Sequence, residues 1–210
     1  MKHKRKINPT DKPKPKTPKS HFQPPPPPRL LAKRSDNFNI LSNDPSLTGW
    51  GWVVLNKKGK ILETGCIKTK GAGKKRKIRK GDENVQRVGE ITGRLLQAIR
   101  QHDICYILTE LPHGSQNSAG AMMIGVVIGA LRMASDILDI GIEWYTEGDA
   151  KKCVFGTQSA SKSDMIKAMS SAYGKDWKTG TKYKDEGIAD ALSIHYTAMK
   201  ESSTLKLMKR

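Results

Sequence analysis

The period of the apolar positions changes repeatedly along this chain, and each change marks an element. After residue 36 come short β-type runs, Phe38 to Leu41, Trp50 to Leu55 and Ile61 to Ile67, with a Lys57-Lys58-Gly59 turn between the last two. Such brief alternation predicts strands, and their close spacing predicts a three-stranded antiparallel meander. The period then lengthens: Val85, Val88, Ile91, Leu95, Ala98 and Ile99 recur at helical spacing, and the apolar run Ile104 to Leu108 follows. Helix then strand is a crossover unit, which lays its strand parallel to a neighbour. A helix rich in small residues from Ser118 to Leu138, a strand at Ile142 to Tyr145, and helices near Ser163 to Tyr173 and Glu186 to Lys200 complete the pattern. Ser161-Lys162-Ser163-Asp164 has the form of a cap that opens the first of these two helices. The order βββαβαβαα predicts an α/β sandwich around a five-stranded mixed sheet, three antiparallel strands then two parallel, flanked by helices.

Composition separates this region from what precedes it. Of 210 residues, 38 are Lys or Arg and 20 are Asp or Glu, for a formal charge of +18. Residues 1–35 hold eleven of the basic side chains against a single Asp, together with nine of the eleven prolines. So little apolar surface does not offset the entropy of ordering, which predicts a disordered basic Lys/Pro-rich tail with polyproline II at Pro24 to Pro28. Residues 36–210 have the size of one domain. A polycation gains affinity for nucleic acid by releasing phosphate counterions; a spacer, a partner's proline ligand or a localisation signal are the other readings of the tail.

Cys66, Cys105 and Cys153 show neither CxxC nor His-flanked spacing, which argues against a disulfide framework or a zinc site. The longest strictly apolar-plus-Gly run, Ala119 to Leu131, is thirteen residues, short of the about 20 that a membrane-spanning helix needs. No apolar segment resembling a secretion signal lies near Met1. The expectation is an intracellular, cytoplasmic protein that neither spans a membrane nor is secreted.

In a chain this basic, acids at the ends of apolar strands are conspicuous. Asp44 follows the first strand within NILSNDPSLTGWGW, Glu110 ends ICYILTE, and Asp190 interrupts the half-apolar helix DEGIADALSIHY. Singly, each has an ordinary reading as a turn cap or a solvated helix end. Jointly they suggest one site, because three converging carboxylates repel by about 1 kcal/mol per pair in water at 4 Å and require a counter-charge. Oxygen-only ligands favour a hard cation such as Mg2+, with Mn2+ able to substitute, and two such ions about 3.5 to 4 Å apart activate a water and stabilise a leaving phosphodiester oxygen.

This order of elements and acids resembles the RuvC family of Holliday-junction resolvases in the RNase H-like superfamily, with a phage or prophage type suggested. The segments that carry the resemblance are ILSNDPSLTGWGWVV, ILTELPHGSQNSAGAMMIG, VFGTQSASKSDMIKAM and DEGIADALSIHY, and it runs from about Asn39 to Met199. It implies an RNase H-like fold, a Mg2+-dependent endodeoxyribonuclease acting on four-way or other branched DNA, and a homodimer. It also implies Asp44, Glu110 and Asp190 as catalytic, metal-binding acids. A fourth acid commonly stands three residues before the last aspartate, where this chain has Gly187. Glu186 shares a helix face with Asp190 and is favoured for that role; Asp185 is the other candidate. The turn between Asp44 and Gly49 is two residues shorter than in typical bacterial members.

Lys68, Lys70, Lys74, Lys75, Arg76, Lys77, Arg79 and Lys80 place eight positive charges in thirteen residues, a loop suited to phosphates. By the same resemblance Lys151, Lys152 and Lys162 take basic, DNA-facing positions, and His113 stands where an aromatic residue often stacks on a base. Gly125-x-x-x-Gly129 marks close helix packing, with Met122, Ile124 and Val127 as interface candidates. Gly187 leaves open a second reading, a catalytically weak junction-binding protein. An actin-like ATPase or sugar kinase also begins with an Asp and a Gly-containing hairpin, but needs a second domain that 175 residues do not supply.

Overall fold

The computed structural model describes residues 38–208 apart from 72–77, 113 and 115–117. The expectations for the tail and for Lys74, Lys75, Arg76, Lys77 and His113 therefore lie outside the described residues. Eleven elements follow in order among those described: β1 (Asn39–Asp44), β2 (Gly49–Asn56), β3 (Ile61–Lys68), α1 (Lys80–Gln101), β4 (Ile104–Glu110), α2 (Ser118–Leu138), β5 (Gly141–Tyr145), α3 (Glu147–Phe155), α4 (Lys162–Tyr173), α5 (Lys182–Glu201) and α6 (Ser203–Met208). The strands form one sheet in the order β3-β2-β1-β4-β5. The β1–β2 and β2–β3 pairs are antiparallel, and the β1–β4 and β4–β5 pairs parallel. This is the expected mixed sheet, with β1 at its centre.

Alternation along the strands sends apolar side chains to both faces. Leu41, Trp50, Val54 and Ile107 point to one side, where Ile91, Leu95 and Ile99 of α1 and Val127 and Leu131 of α2 cover them. On the other side, Ile40, Tyr106 and Leu108 meet Ile194 and Ala198 of α5, while Val53 and Leu55 meet Met165 and Met169 of α4 and Ile188 and Leu192 of α5. Helix α5 is buried nearly all round, which follows from its central position between the sheet and α3 and α4. Trp50 and Val53 thus serve the core from opposite faces, as their alternation predicts.

Several boundaries depart from expectation. Helix α5 begins at Lys182, a turn before the predicted start, and two short helices, α3 and α6, went unpredicted. Val85 has helical spacing but is 72% exposed, whereas burial in α1 is confined to Ile91, Leu95, Ala98 and Ile99. Val127 is 4% exposed and packed in the core, so it cannot face a partner. The outward stripe of α2 instead presents Met122, Val126, Met133 and Ile137. By length and composition α2 is apolar enough to cross a membrane, with a mean hydropathy of 1.7. Its inner residues Val127, Leu131 and Ser135 nevertheless belong to the domain core, and Arg132 and Asp136 pair on its outer side at 2.7 Å.

The sheet and α5 approach each other at backbone distance. A Cβ added to Gly51 of β2 would lie 2.1 Å from the Gly187 carbonyl oxygen. One strand over, the Ser42 hydroxyl donates to the Ala191 carbonyl at 2.7 Å. Gly51→Ala is expected to lower unfolding free energy by about 3 kcal/mol, since neither backbone is free to retreat from a packed core. Gly187→Ala, whose Cβ would lie 3.3 Å from Gly51 Cα, needs only a small shift and should cost about 1 kcal/mol. Urea unfolding of both variants checks the order; equal losses would show that the contact yields.

Candidate active site

Asp44 and Glu110 reach the same edge of the sheet through a bulge. Asn39 pairs with Ile104, but Ile40 pairs with Tyr106, leaving Cys105 as an extra residue in β4. From there Ser42 pairs with Leu108 and Asn43 with Thr109, so that the next register position brings Glu110 beside Asp44. Without the extra residue, strict alternation would turn Glu110 to the opposite face and set Thr109 beside Asp44. Immediately before the acids, Asn43 Nδ2 donates to the Leu108 carbonyl at 3.0 Å and Thr109 Oγ1 donates to Asn43 Oδ1 at 3.1 Å. Both side chains are fully buried, and the pair locks the two strand ends together.

The short turn after Asp44 is tied down from α1. Arg87 Nε donates to Thr69 Oγ1 at 2.8 Å, and its Nη2 reaches the Leu47 carbonyl at 3.2 Å. Thr69 donates to that same carbonyl. Neither Asn43 nor Arg87 stood out in the sequence, since a polar residue inside a strand and an Arg on an amphipathic helix are both ordinary there.

Asp190 comes from α5, laid across β1. Its Oδ2 accepts a hydrogen bond from Lys162 Nζ at 2.9 Å. The three acids feel one another: burial first and then the charge of Asp190 push Asp44 well above the ordinary carboxylate range. Burial, Asp44 and Asp190 do the same to Glu110. Asp190 is raised by burial despite the opposing charge and hydrogen bond of Lys162. Burial works against the ammonium of Lys162, but Asp190 and Asp44 outweigh it and hold the proton more firmly than usual.

A fourth acid, absent from the sequence-based expectation, also contributes. Glu147 opens α3, and its charge raises Asp44, Glu110 and Asp190 alike. It stands two residues after the strand Gly141–Tyr145, past the Thr146 cap, so a weaker form of the strand-end signal that marks Asp44 and Glu110 was present for it too. Lys151, one turn on, bonds it at 2.8 Å.

The remaining expected residues are placed as follows. Glu186 adds its charge to Asp190 and Lys162. Asp185 is buried, and its Oδ1 accepts from the Thr179 amide and hydroxyl at 2.7 and 2.8 Å, closing the loop before α5 onto its first turn. Gly187 lies over Gly51. Arg79 is exposed and paired with Asp82 at 2.8 Å, Lys80 and Lys152 are exposed, and Lys68 sits 3.9 Å over the Tyr183 ring.

Among the described residues no three acidic, His or Cys groups converge into a finished metal cage. The donor set still fits a hard cation: the carboxylates are oxygen-only, partly buried and mutually repelling, and the lysines beside them balance part of the charge.

A meander-first mixed sheet flanked by helices, with acids at the ends of two adjacent parallel strands and on a helix laid across them, is an RNase H-like domain. The sequence profile described as "Crossover junction endodeoxyribonuclease RuvC" matches residues 40–198. The chain belongs to the RuvC family. Its RuvC relative from Nitratidesulfovibrio vulgaris (strain DP4) is 24% identical over 150 residues, 69% of this chain and 84% of that protein. The relative from Ehrlichia canis (strain Jake) is 25% identical over 162 residues, 76% of this chain and 97% of that protein. Among solved structures, Thermus thermophilus RuvC in complex with Holliday junction substrate matches with a TM-score of 0.60 at 18% identity, over 78% of this chain and 96% of that one. The yeast mitochondrial Holliday junction resolvase Ydc2 matches with a TM-score of 0.56 at 13% identity, over 81% of each chain. At these identities the structures attest the fold.

The raised carboxyls have a consequence for stability. Asp44 and Glu110 hold protons in the folded chain that the unfolded chain releases near the ordinary value of about 4. Their contribution is complete below that value and is lost as pH rises through the raised ones. In chelator, the melting temperature should therefore fall from weakly acidic to mildly basic pH. Asp44→Asn or Glu110→Gln should raise it at neutral pH and flatten the slope. Thermal melts across pH check this, and unchanged slopes would show that the repulsion is already relieved by the lysines.

Proposed function

We propose that this chain is a structure-selective endonuclease that resolves Holliday junctions or other branched DNA by metal-assisted phosphodiester hydrolysis. The observation that carries the reading is that Asp44 and Glu110 end adjacent parallel strands of an RNase H-like sheet and feel the charge of Asp190 on α5, inside the segment that matches the RuvC profile. In this reading the three acids, with Glu186 one turn before Asp190, hold two Mg2+ ions, for which Mn2+ can substitute. Bound there, the ions supply the charge that activates a water and stabilises the leaving oxygen. The chain itself places the acids through the Cys105 bulge and the Asn43–Thr109 lock, and holds Lys162 where a phosphate oxygen competes with Asp190 for it.

DNA-facing roles fall to Arg79, Lys80, Lys151, Lys152 and Lys162, with Lys74, Lys75, Arg76, Lys77 and His113 assigned from sequence. Such contacts position phosphates without reading bases. Asp185 already closes the loop before α5, which supports Glu186 over it as the acid that joins Asp190.

The test is incubation of the protein with four-way, three-way and linear DNA, with Mg2+ and with chelator. Symmetric, Mg2+-dependent nicks confined to branched DNA are expected. Tight junction binding without incision would favour the second reading, a binding protein. Asp44→Asn, Glu110→Gln and Asp190→Asn should each abolish cleavage and preserve junction binding, and Glu186→Gln should slow cleavage more than Asp185→Asn. Near-wild-type cutting by any of the first three would remove that residue from the site.

We infer a homodimer that meets through the outer stripe of α2. Met122, Met133 and Ile137 are 60%, 62% and 74% exposed on one helix face, and Gly125 and Gly129 on that face meet nothing within 4 Å. An apolar stripe beside two glycines, bordered by the Arg132–Asp136 ion pair, suits helix contact with a second copy. Met133→Lys with Ile137→Lys should shift the protein from dimer to monomer in light scattering. An unchanged mass would move the contact elsewhere.

A further inference from the structure

Thr146, Glu147, Gly148 and Asp149 follow β5 without a break. Strand β5 lies parallel beside β4, with Tyr145 paired to Glu110, and the Leu111 amide donates to the Tyr145 carbonyl at 2.7 Å. The two strands therefore end together, at the edge that carries Asp44 and Glu110. Thr146 then starts α3 through a reciprocal cap: its hydroxyl accepts from the Asp149 amide at 3.1 Å, and Asp149 Oδ2 accepts from the Thr146 amide at 2.9 Å. Asp149 is thereby committed to the helix start, and the Glu147 carboxylate is bonded by Lys151 one turn on. Ala150, buried among Tyr106 and Ile194, seats this first turn on the sheet and fixes where residue 147 stands.

Two features distinguish Glu147 from an ordinary first-turn acid. Its charge reaches all three acids of the cleft, whereas among those acids Glu186 is felt by Asp190. Its partner Lys151 is 20% exposed, more enclosed than most surface lysines, while the Glu147 side chain keeps 40% exposure toward the open side. Lys151 with Glu147 thus repeats, on the β5 side of the cleft, what Lys162 does with Asp190 on the α5 side. Gly187, facing β2, brings no side chain to the same space.

We propose that Glu147 is a further carboxylate of the metal site, entering from the β5–α3 junction, and that Lys151 holds it there until a divalent cation takes it over. This rests on the reading of the cleft as a metal site. An acid at the first position of a helix also stabilises that helix through its dipole, and that lesser role predicts no effect on cation binding.

The experiment is titration of the DNA-free full chain with Mn2+, followed by calorimetry, for the wild type and for Asp44→Asn, Glu147→Gln, Glu147→Asp and Lys151→Gln, with circular dichroism to establish folding. Glu147→Gln should weaken Mn2+ binding about ten- to a hundredfold. Glu147→Asp, which keeps the carboxylate, should bind more tightly than Glu147→Gln. Lys151→Gln should tighten binding in the wild type and change nothing in the Glu147→Gln background. Wild-type affinity in Glu147→Gln together with weakened binding in Asp44→Asn would overturn the proposal and leave the metal site standing. Wild-type affinity in Asp44→Asn would overturn the metal site itself, and the proposal with it.

Discussion

Backbone contact between α5 and the sheet is the constraint on which the rest depends. Asp190 meets Asp44 because α5 lies close enough for the Gly187 carbonyl to occupy the place of a Gly51 side chain, and for Ser42 to bond the Ala191 carbonyl. A helix on a sheet ordinarily stands off by the depth of two side-chain layers. Here Gly187 against β2 and Ala191 against β1 remove much of one layer. A side chain at position 51 would push the helix outward, and the carboxylate on it would leave the strand ends.

The same approach concentrates negative charge that the core has to hold together. Asp44, Glu110 and Asp190 repel in a partly dehydrated cleft, so their charged forms are disfavoured. Hydrophobic burial on both faces of the sheet offsets that cost, and the Asn43–Thr109 lock and Arg87 keep the strand ends from relaxing apart. Pre-organisation of this kind trades stability for a concentration of negative charge, which the proposed function uses to hold cations.

The elements that position the site were mostly legible, for local reasons. Strand alternation and the Ser161–Asp164 cap are short-range signals, and α2 and α4 begin and end at or beside their predicted residues. The missed features depend on distant or weaker cues. Helix α3 is nine residues long and only Ala150 in it is buried, so its apolar periodicity is faint. Helix α5 gains its extra turn from the Thr179–Asp185 bonds, which arise only once the loop folds back. Val85 has the right spacing but lies where α1 has no core beneath it, and Val127, beside the Gly125–Gly129 motif in sequence, faces the core. The pairing of Asp44 with Glu110 was inferred from strand ends alone. The bulge that makes it possible appears in the register, because Cys105 looks like any other strand residue in the sequence.

Charge balance in the cleft also links cation and DNA binding. Lys162 bonds Asp190 and Lys151 bonds Glu147, so each lysine lowers the availability of one carboxylate. If the cleft takes metal and DNA as proposed, a DNA phosphate would compete for those ammonium groups and, by taking them, leave the carboxylates more negative. Cations would then bind more tightly, and by thermodynamic reciprocity a bound cation would make the lysines more available to phosphate. On that proposal the site would assemble fully only with both present, and hydrolysis at a half-filled cleft would be restrained.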